Sequence, residues 1–152
     1  MGRTYKEIMA ALPADRRARI EARAVSTYIS PPFLTQATVF ELIDRGAFEP
    51  NLERIRGLLR RRRDAMLAAL EHELAGTATW SEPEGGYFLW VDMSADAAEL
   101  LVRAEAAGVT FVKGADFFSD GSGSRAVRLA FSYASPSEIG EGVSTLASLL
   151  RA

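Results

Sequence analysis

Pro83-Glu84-Gly85-Gly86-Tyr87-Phe88-Leu89-Trp90 passes from a turn into an unbroken apolar run. Proline and paired glycines end regular structure, so Tyr87 to Val91 reads as a strand covered on at least one face and central in its sheet. Upstream, Ala78 to Ser81 is a short strand, close enough to the glycine turn to predict a hairpin. Downstream, a helix starts near Ser94, with Asp96 in its first turn against the positive end of the dipole, and stops at Gly108. Val109 to Val112 gives another short strand. Lys113 to Ser124 reads as a loop anchored by burial of Phe117 and Phe118, and Ala126 to Phe131 is the last strand. The final helix carries a clear start signal: Ser135 caps it, Pro136 takes the first helical position, and Glu138 completes a Ser-x-x-Glu box. Its predicted buried face is Ile139, Val143, Leu146 and Leu150.

The first part of the chain has helical character. Asp15 to about Tyr28 is Arg- and Ala-rich, Ser30-Pro31-Pro32 interrupts it, and Leu34 to Asp44 ends at Gly46, placed for a left-handed residue. The longest element, Phe48 to Leu74, lines up Leu52, Ile55, Leu59, Met66, Leu70 and Leu74 at helical spacing, a stripe suited to packing on a sheet. Arg63 falls within that stripe. Its stem is expected to lie on apolar surface with the head reaching solvent, and a specific ion pair is the second reading. The element order predicts an α/β fold: a small mixed sheet packed by helices and preceded by a helical arm, the helix at 94–107 implying a parallel pair. The domain division expected is 1–47 as arm or connector and 48–152 as the sheet domain.

Composition excludes several kinds of chemistry. With no cysteine and one histidine in 152 residues, there is no disulfide frame, no thiolate nucleophile and no zinc cluster, so no metal ligand is assigned. No run of apolar residues reaches membrane-spanning length and no secretory signal is visible, which makes cytoplasmic the expected location. Charge is uneven, with thirteen Lys/Arg against eight Asp/Glu in residues 1–70 and five against twelve in residues 71–152. Arg60-Arg61-Arg62-Arg63 invites a nucleic-acid reading. Four consecutive residues spread around a helix instead of forming one face, and the acidic second half repels polyanions, so nucleic acid is not expected as a partner.

Arg128 stands out on chemical grounds. On its strand Val127, Leu129 and Phe131 point into the core, which leaves Arg128 beside small Ala130 on the other face. A guanidinium presents a planar fork that matches a carboxylate in two-point contact. An exposed strand face carries an arginine just as naturally, so spacing alone leaves both readings open.

Three motifs in register, Pro-x-Gly-Gly-Tyr-Phe (83–88), Gly-Val-x-Phe-Val-x-Gly-x-x-Phe (108–117) and Arg-Leu-x-Phe-Ser (128–132) ahead of a capped helix, resemble the C-terminal small domain of class I/II pyridoxal-phosphate-dependent aminotransferases. The resemblance covers about residues 48–150, and 14–47 is similar to the family's connection between its large and small domains. It implies that Arg128 binds the substrate's α-carboxylate. It also implies amino transfer between an amino acid and a 2-oxo acid in a complete enzyme, with pyridoxal 5′-phosphate as cofactor and a homodimer as the working form. The family's cofactor lysine and phosphate loop belong to a large domain that these motifs do not include. No catalytic or cofactor-binding residue is therefore assigned, and the isolated chain is expected to be inactive and to bind no cofactor. Lys113 stands where the family usually has proline. Gly121-Ser122-Gly123-Ser124 matches no phosphate-binding spacing and reads as a flexible tip, and Gly85-Gly86 reads equally as a plain turn or as a place of close backbone approach. Two other classes remain: an effector domain of a winged-helix regulator with an aminotransferase-like part, and a self-associating module whose exposed helices pair with a second copy.

Overall fold

In a computed structural model the chain is described over residues 10–26 and 31–152, so the predicted Ser30-Pro31-Pro32 break begins outside the described residues. Two compact units emerge, Met1–Asn51 and Leu52–Ala152. The first contains helices α1 (Ala14–Ser26) and α2 (Pro31–Asp44), and α3 (Phe48–Leu74) starts within it. Helix α2 stops as its sequence predicts. Gly46 has φ 66°, its N–H donates to the Ile43 carbonyl and that of Ala47 to the Leu42 carbonyl, the six-to-one pattern in which a left-handed glycine satisfies the last free carbonyls. Buried Glu41 accepts from Arg45 Nε at 2.6 Å and faces Arg16, which also bonds Asp44.

The second unit is a four-stranded sheet with helices on one face. Strands β1 (Thr79–Trp80), β2 (Phe88–Asp92), β3 (Val112–Lys113) and β4 (Ala126–Ala130) lie in the order β1-β2-β4-β3. Helices α4 (Ala97–Ala106) and α5 (Pro136–Arg151) complete it. The α/β fold with a helix-packed sheet holds, but the sheet is antiparallel in every pairing and not mixed. The physical reason lies in the insertion of β4. The α4 connection does send β3 in the same direction as β2, but β4 sits between them and pairs antiparallel with both. The predicted hairpin of β1 with β2 is present, with Trp80 opposite Val91.

Packing follows the alternation of the strands. Leu89 and Val91 of β2, Val127 and Leu129 of β4, and Phe131 just beyond it turn toward the helices. They meet Met66, Leu70 and Leu74 of α3, Leu100 and Ala104 of α4, and Ile139, Val143, Leu146 and Ala147 of α5 in one cluster. Each large side chain so enclosed stabilises the fold by about 1.5–3 kcal/mol relative to exposure. Of the predicted α3 stripe, the C-terminal three residues are buried and Leu59 packs partly against the cluster. Strand β2 is buried on one face only, because Phe88 and Trp90 alternate with Leu89 and Val91 onto the opposite side.

Both caps predicted at helix starts form, one of them displaced. Asp96 is the N-cap itself and not a first-turn residue, accepting from the N–H groups of Ala98 and Glu99. Ser135 and Glu138 close the reciprocal box, Glu138 Oε2 accepting from the Ser135 N–H at 2.7 Å. The hydrogen bonds from Ser135, aided by the charge of Arg62, hold the Glu138 carboxyl below its ordinary range. A depressed folded-state value means the contribution is complete above the unfolded pKa and disappears as pH falls through the folded one. Ser135→Ala is expected to cost about 1 kcal/mol in urea denaturation at neutral pH. Glu138→Gln, which removes the titrating half, should leave a neutral-pH deficit that shrinks as the pH is lowered through the carboxylate range, because the wild-type carboxylate is then neutral too. A deficit constant down to the acid limit would show that the box does not form.

Candidate functional site

Side chains from three strands share the face of the sheet that the helices leave open. Trp90 and Val112 lie opposite Arg128 from its two neighbouring strands, and Phe88 lies opposite Ala130. Arg128 is half-buried, on the face the alternation predicts, while its neighbours Val127 and Leu129 are buried. Strand β4 has a paired neighbour on both sides at this residue, so the Cα carrying the guanidinium lies between two ladders.

The guanidinium lies between aromatic rings. Its central carbon is 4.0 Å from the ring centroid of Phe88 and 4.5 Å from that of Phe117. Each such contact contributes about 0.5–1 kcal/mol at a partly exposed site. Trp90 stands edge-on to Phe117 with centroids 5.4 Å apart, and stacks on Phe118 at 6.3 Å. Among the described residues no carboxylate is paired with Arg128, and its Nε is buried without a hydrogen-bond partner. Rings this close to the guanidinium carbon restrict the group, and its planar fork of donors is the part that can meet a planar acid.

Sequence reasoning placed Arg128 and missed its bracket. Phe117 and Phe118 were expected to anchor their loop by burial; both are more than two-fifths exposed and line the open face instead. They are carried there by the short 3-10 turn Gly114–Phe117, which is pressed against β4 so closely that a Cβ on Gly114 would stand 2.5 Å from the Cβ of Ala126. A glycine two residues after a short strand was the available signal. The Gly121–Ser124 segment is tied down, with the Ser124 carbonyl accepting from Ala97 and the Gly123 carbonyl from Ala126, which departs from the flexible tip expected. Asp120 Oδ1 already accepts from the Ser122 N–H there, so the segment presents a carboxylate where a phosphate cradle needs free donors. Gly86 takes φ 84° with open space around it, which makes the Gly85-Gly86 pair a turn requirement, with no close approach of this chain's own atoms. Arg63 has specific partners in place of the expected solvent-reaching head, donating to Asp64 Oδ1 and, at 3.2 Å, to the Pro83 carbonyl.

Comparison with known proteins bears on this arrangement. The sequence profile described as aspartate amino-transferase matches residues 18–151, nearly the whole chain. The chain belongs to the aspartate amino-transferase family. Its segment corresponds to the C-terminal domain of these aminotransferases, and it spans about a third of the length of the relatives it matches. The 2-aminoadipate transaminase of Thermus thermophilus is 36% identical over 122 residues, which is 79% of this chain and 30% of that protein. Among solved structures, the multiple substrate aminotransferase of Thermococcus profundus superposes with a TM-score of 0.74 at 32% identity, covering 90% of this chain and 34% of its own. LysN, the α-aminoadipate aminotransferase of Thermus thermophilus, gives 0.73 at 33% identity over 93% of this chain and 36% of its own. LysN was solved with N-(5′-phosphopyridoxyl)-L-leucine bound.

The described residues of this aminotransferase domain do not fit pyridoxal phosphate. Lys113 is the one lysine among them, and its Nζ is taken up in an ion pair with Asp116 Oδ1 at 3.3 Å, so they offer no lysine free of a partner. No group of metal-ligating side chains occurs among the described residues either, and no helix there is long and apolar enough to cross a membrane.

Proposed function

We propose that this domain is the acid-recognising wall of an aminotransferase acting between an amino acid and a 2-oxo acid, with Arg128 receiving the α-carboxylate of either. The observation that carries this reading is an arginine with no ion-pair partner among the described residues, stacked between Phe88 and Phe117 on a strand paired on both sides. A buried or half-buried cation left unpaired in a finished domain is costly unless a ligand completes it. The planar fork makes a carboxylate the ligand of best fit. Membership in a family of aminotransferases supplies the chemical setting, and pyridoxal phosphate is then the cofactor of the complete protein, held by residues other than those described.

Two measurements test it. In the 152-residue chain, acetate titrated against the Arg128 Nε–H resonance is expected to move that signal in a saturable way, with the signals of exposed Arg60 and Arg61 unaffected. Mixed with pyridoxal phosphate and an amino acid, the same chain is expected to form no 2-oxo acid, because the one lysine among the described residues, Lys113, is ion-paired with Asp116. An Arg128 signal indifferent to acetate would remove the first half of the proposal, and steady turnover by the chain would remove the second.

A further inference from the structure

The four-arginine block at residues 60–63 is not among the groups touching the Arg128 guanidinium, and it is divided in a definite way. Arg60 and Arg61 are exposed, whereas Arg62 and Arg63 turn inward from α3 and donate to backbone carbonyls far along the chain. Arg63 reaches the Pro83 carbonyl in the turn before β2, and Arg62 reaches the Ser132 carbonyl just after β4. Phe88 lies opposite Ala130, so these two turns are at the same end of the sheet. The first leads into β2, which carries Phe88, and the second follows β4, which carries Arg128.

We infer that Arg62 and Arg63 are positioning residues, a clamp that holds one end of the acid-binding face by gripping the turn before β2 and the exit of β4. Asp64 orients the Arg63 guanidinium through Nε and Nη2, at 2.9 and 2.6 Å, which leaves Nη1 directed at Pro83. Arg62 has a buried Nε without a partner, so its bond to Ser132 is what offsets the cost of its burial, with the Glu138 carboxylate as a neighbouring countercharge. The gripped turns need holding. Gly85 and Gly86 give the first of them a backbone without side-chain restraint, and it leads directly into Phe88, the ring 4.0 Å from the Arg128 guanidinium. The Tyr87 carbonyl also accepts the Phe131 N–H at 3.0 Å, which links the first turn to the end of β4. Removing the two donors therefore loosens Phe88 and the exit of β4 together, and with them the plane of the guanidinium.

The functional half of this inference rests on Arg128 as acid receptor, whereas the mechanical half does not, and the experiment separates them. In the 15N-labelled 152-residue chain, Arg62→Gln/Arg63→Gln is expected to lower the backbone order parameters of Gly86, Tyr87 and Tyr133 while those of Leu89 and Val127 are kept. Acetate affinity at Arg128 should fall by about tenfold, the scale of one net hydrogen bond lost per turn. Arg62→Lys and Arg63→Lys, each keeping a charged donor, should recover most of that affinity and serve as folded references if the double variant fails to fold. Unchanged order parameters in both turns overturn the clamp, even if the melting point drops, since the arginines would then support the fold alone. Lowered order parameters with unchanged acetate affinity confine it to mechanics and overturn its bearing on the site. If acetate leaves Arg128 unmoved in the wild-type chain, the receptor reading fails, and the order parameters still decide the clamp.

Discussion

With Arg128 as the proposed carboxylate receptor, Arg128→Gln is expected to lower kcat/KM for the amino acid by about two to three orders of magnitude in a complete aminotransferase carrying this domain, the range expected when one partner of a hydrogen-bonded charge pair is truncated at a cost of about 2–5 kcal/mol. Most of the loss should appear in KM, because the α-carboxylate is bound in the ground state and the transition state alike. Lysine at this position is a sharper probe than it looks. Arg128→Lys keeps the charge but loses both the fork and the guanidinium's contacts with Phe88 and Phe117, so a defect of about tenfold or more remains. Folding should be little affected, since the guanidinium makes no ion pair and its Nε no hydrogen bond among the described residues. The thermal midpoint of Arg128→Gln is expected within about 5–10 °C of wild type, the equivalent of the lost ring contacts. Wild-type KM in the glutamine variant would show that the acid is bound elsewhere.

Phe131→Ala has the largest expected effect on stability. The ring is 1% exposed and belongs to the single cluster shared by the sheet, α3, α4 and α5. Emptying such a site costs about 3–5 kcal/mol, the transfer loss plus the cavity left behind. Domains of this kind are stable by about 5–15 kcal/mol in total, so the variant sits close to the edge of folding at room temperature. Urea denaturation reads it directly, as a lower midpoint at unchanged slope. Phe117→Ala is the control: that ring is 47% exposed on the other face. A loss at Phe131 no larger than at Phe117 would mean that the core does not lie between this sheet and its helices.

Helix limits and caps were the most legible part of the chain. Gly46, Asp96, Ser135, Pro136 and Glu138 act on backbone groups within a few residues of themselves, so their chemistry can be read locally. Arg128's face was legible for the same kind of reason, since alternation along β4 is a property of five consecutive residues. The strand directions were not. A connecting helix between β2 and β3 correctly implied that they point the same way, but nothing in that segment announces that β4, arriving later, inserts between them. Arg63 was misread by the same limit, because its carbonyl partner at Pro83 is twenty residues away.

Local order along the chain was thus enough to establish the helices, the strands other than β3 (expected at Val109–Val112, found at Val112–Lys113), the caps, the inward and outward sides of β4 and the family resemblance of the motifs. Three-dimensional packing alone established the all-antiparallel order β1-β2-β4-β3, the bracketing of Arg128 by Phe88 and Phe117, and the reach of Arg62 and Arg63 to Ser132 and Pro83. The difference is one of range. Backbone propensity and periodicity act over a turn of helix or a few strand residues, whereas pairing partners and ring contacts join positions from about 11 to 70 residues apart, whose meeting depends on how every intervening element packs.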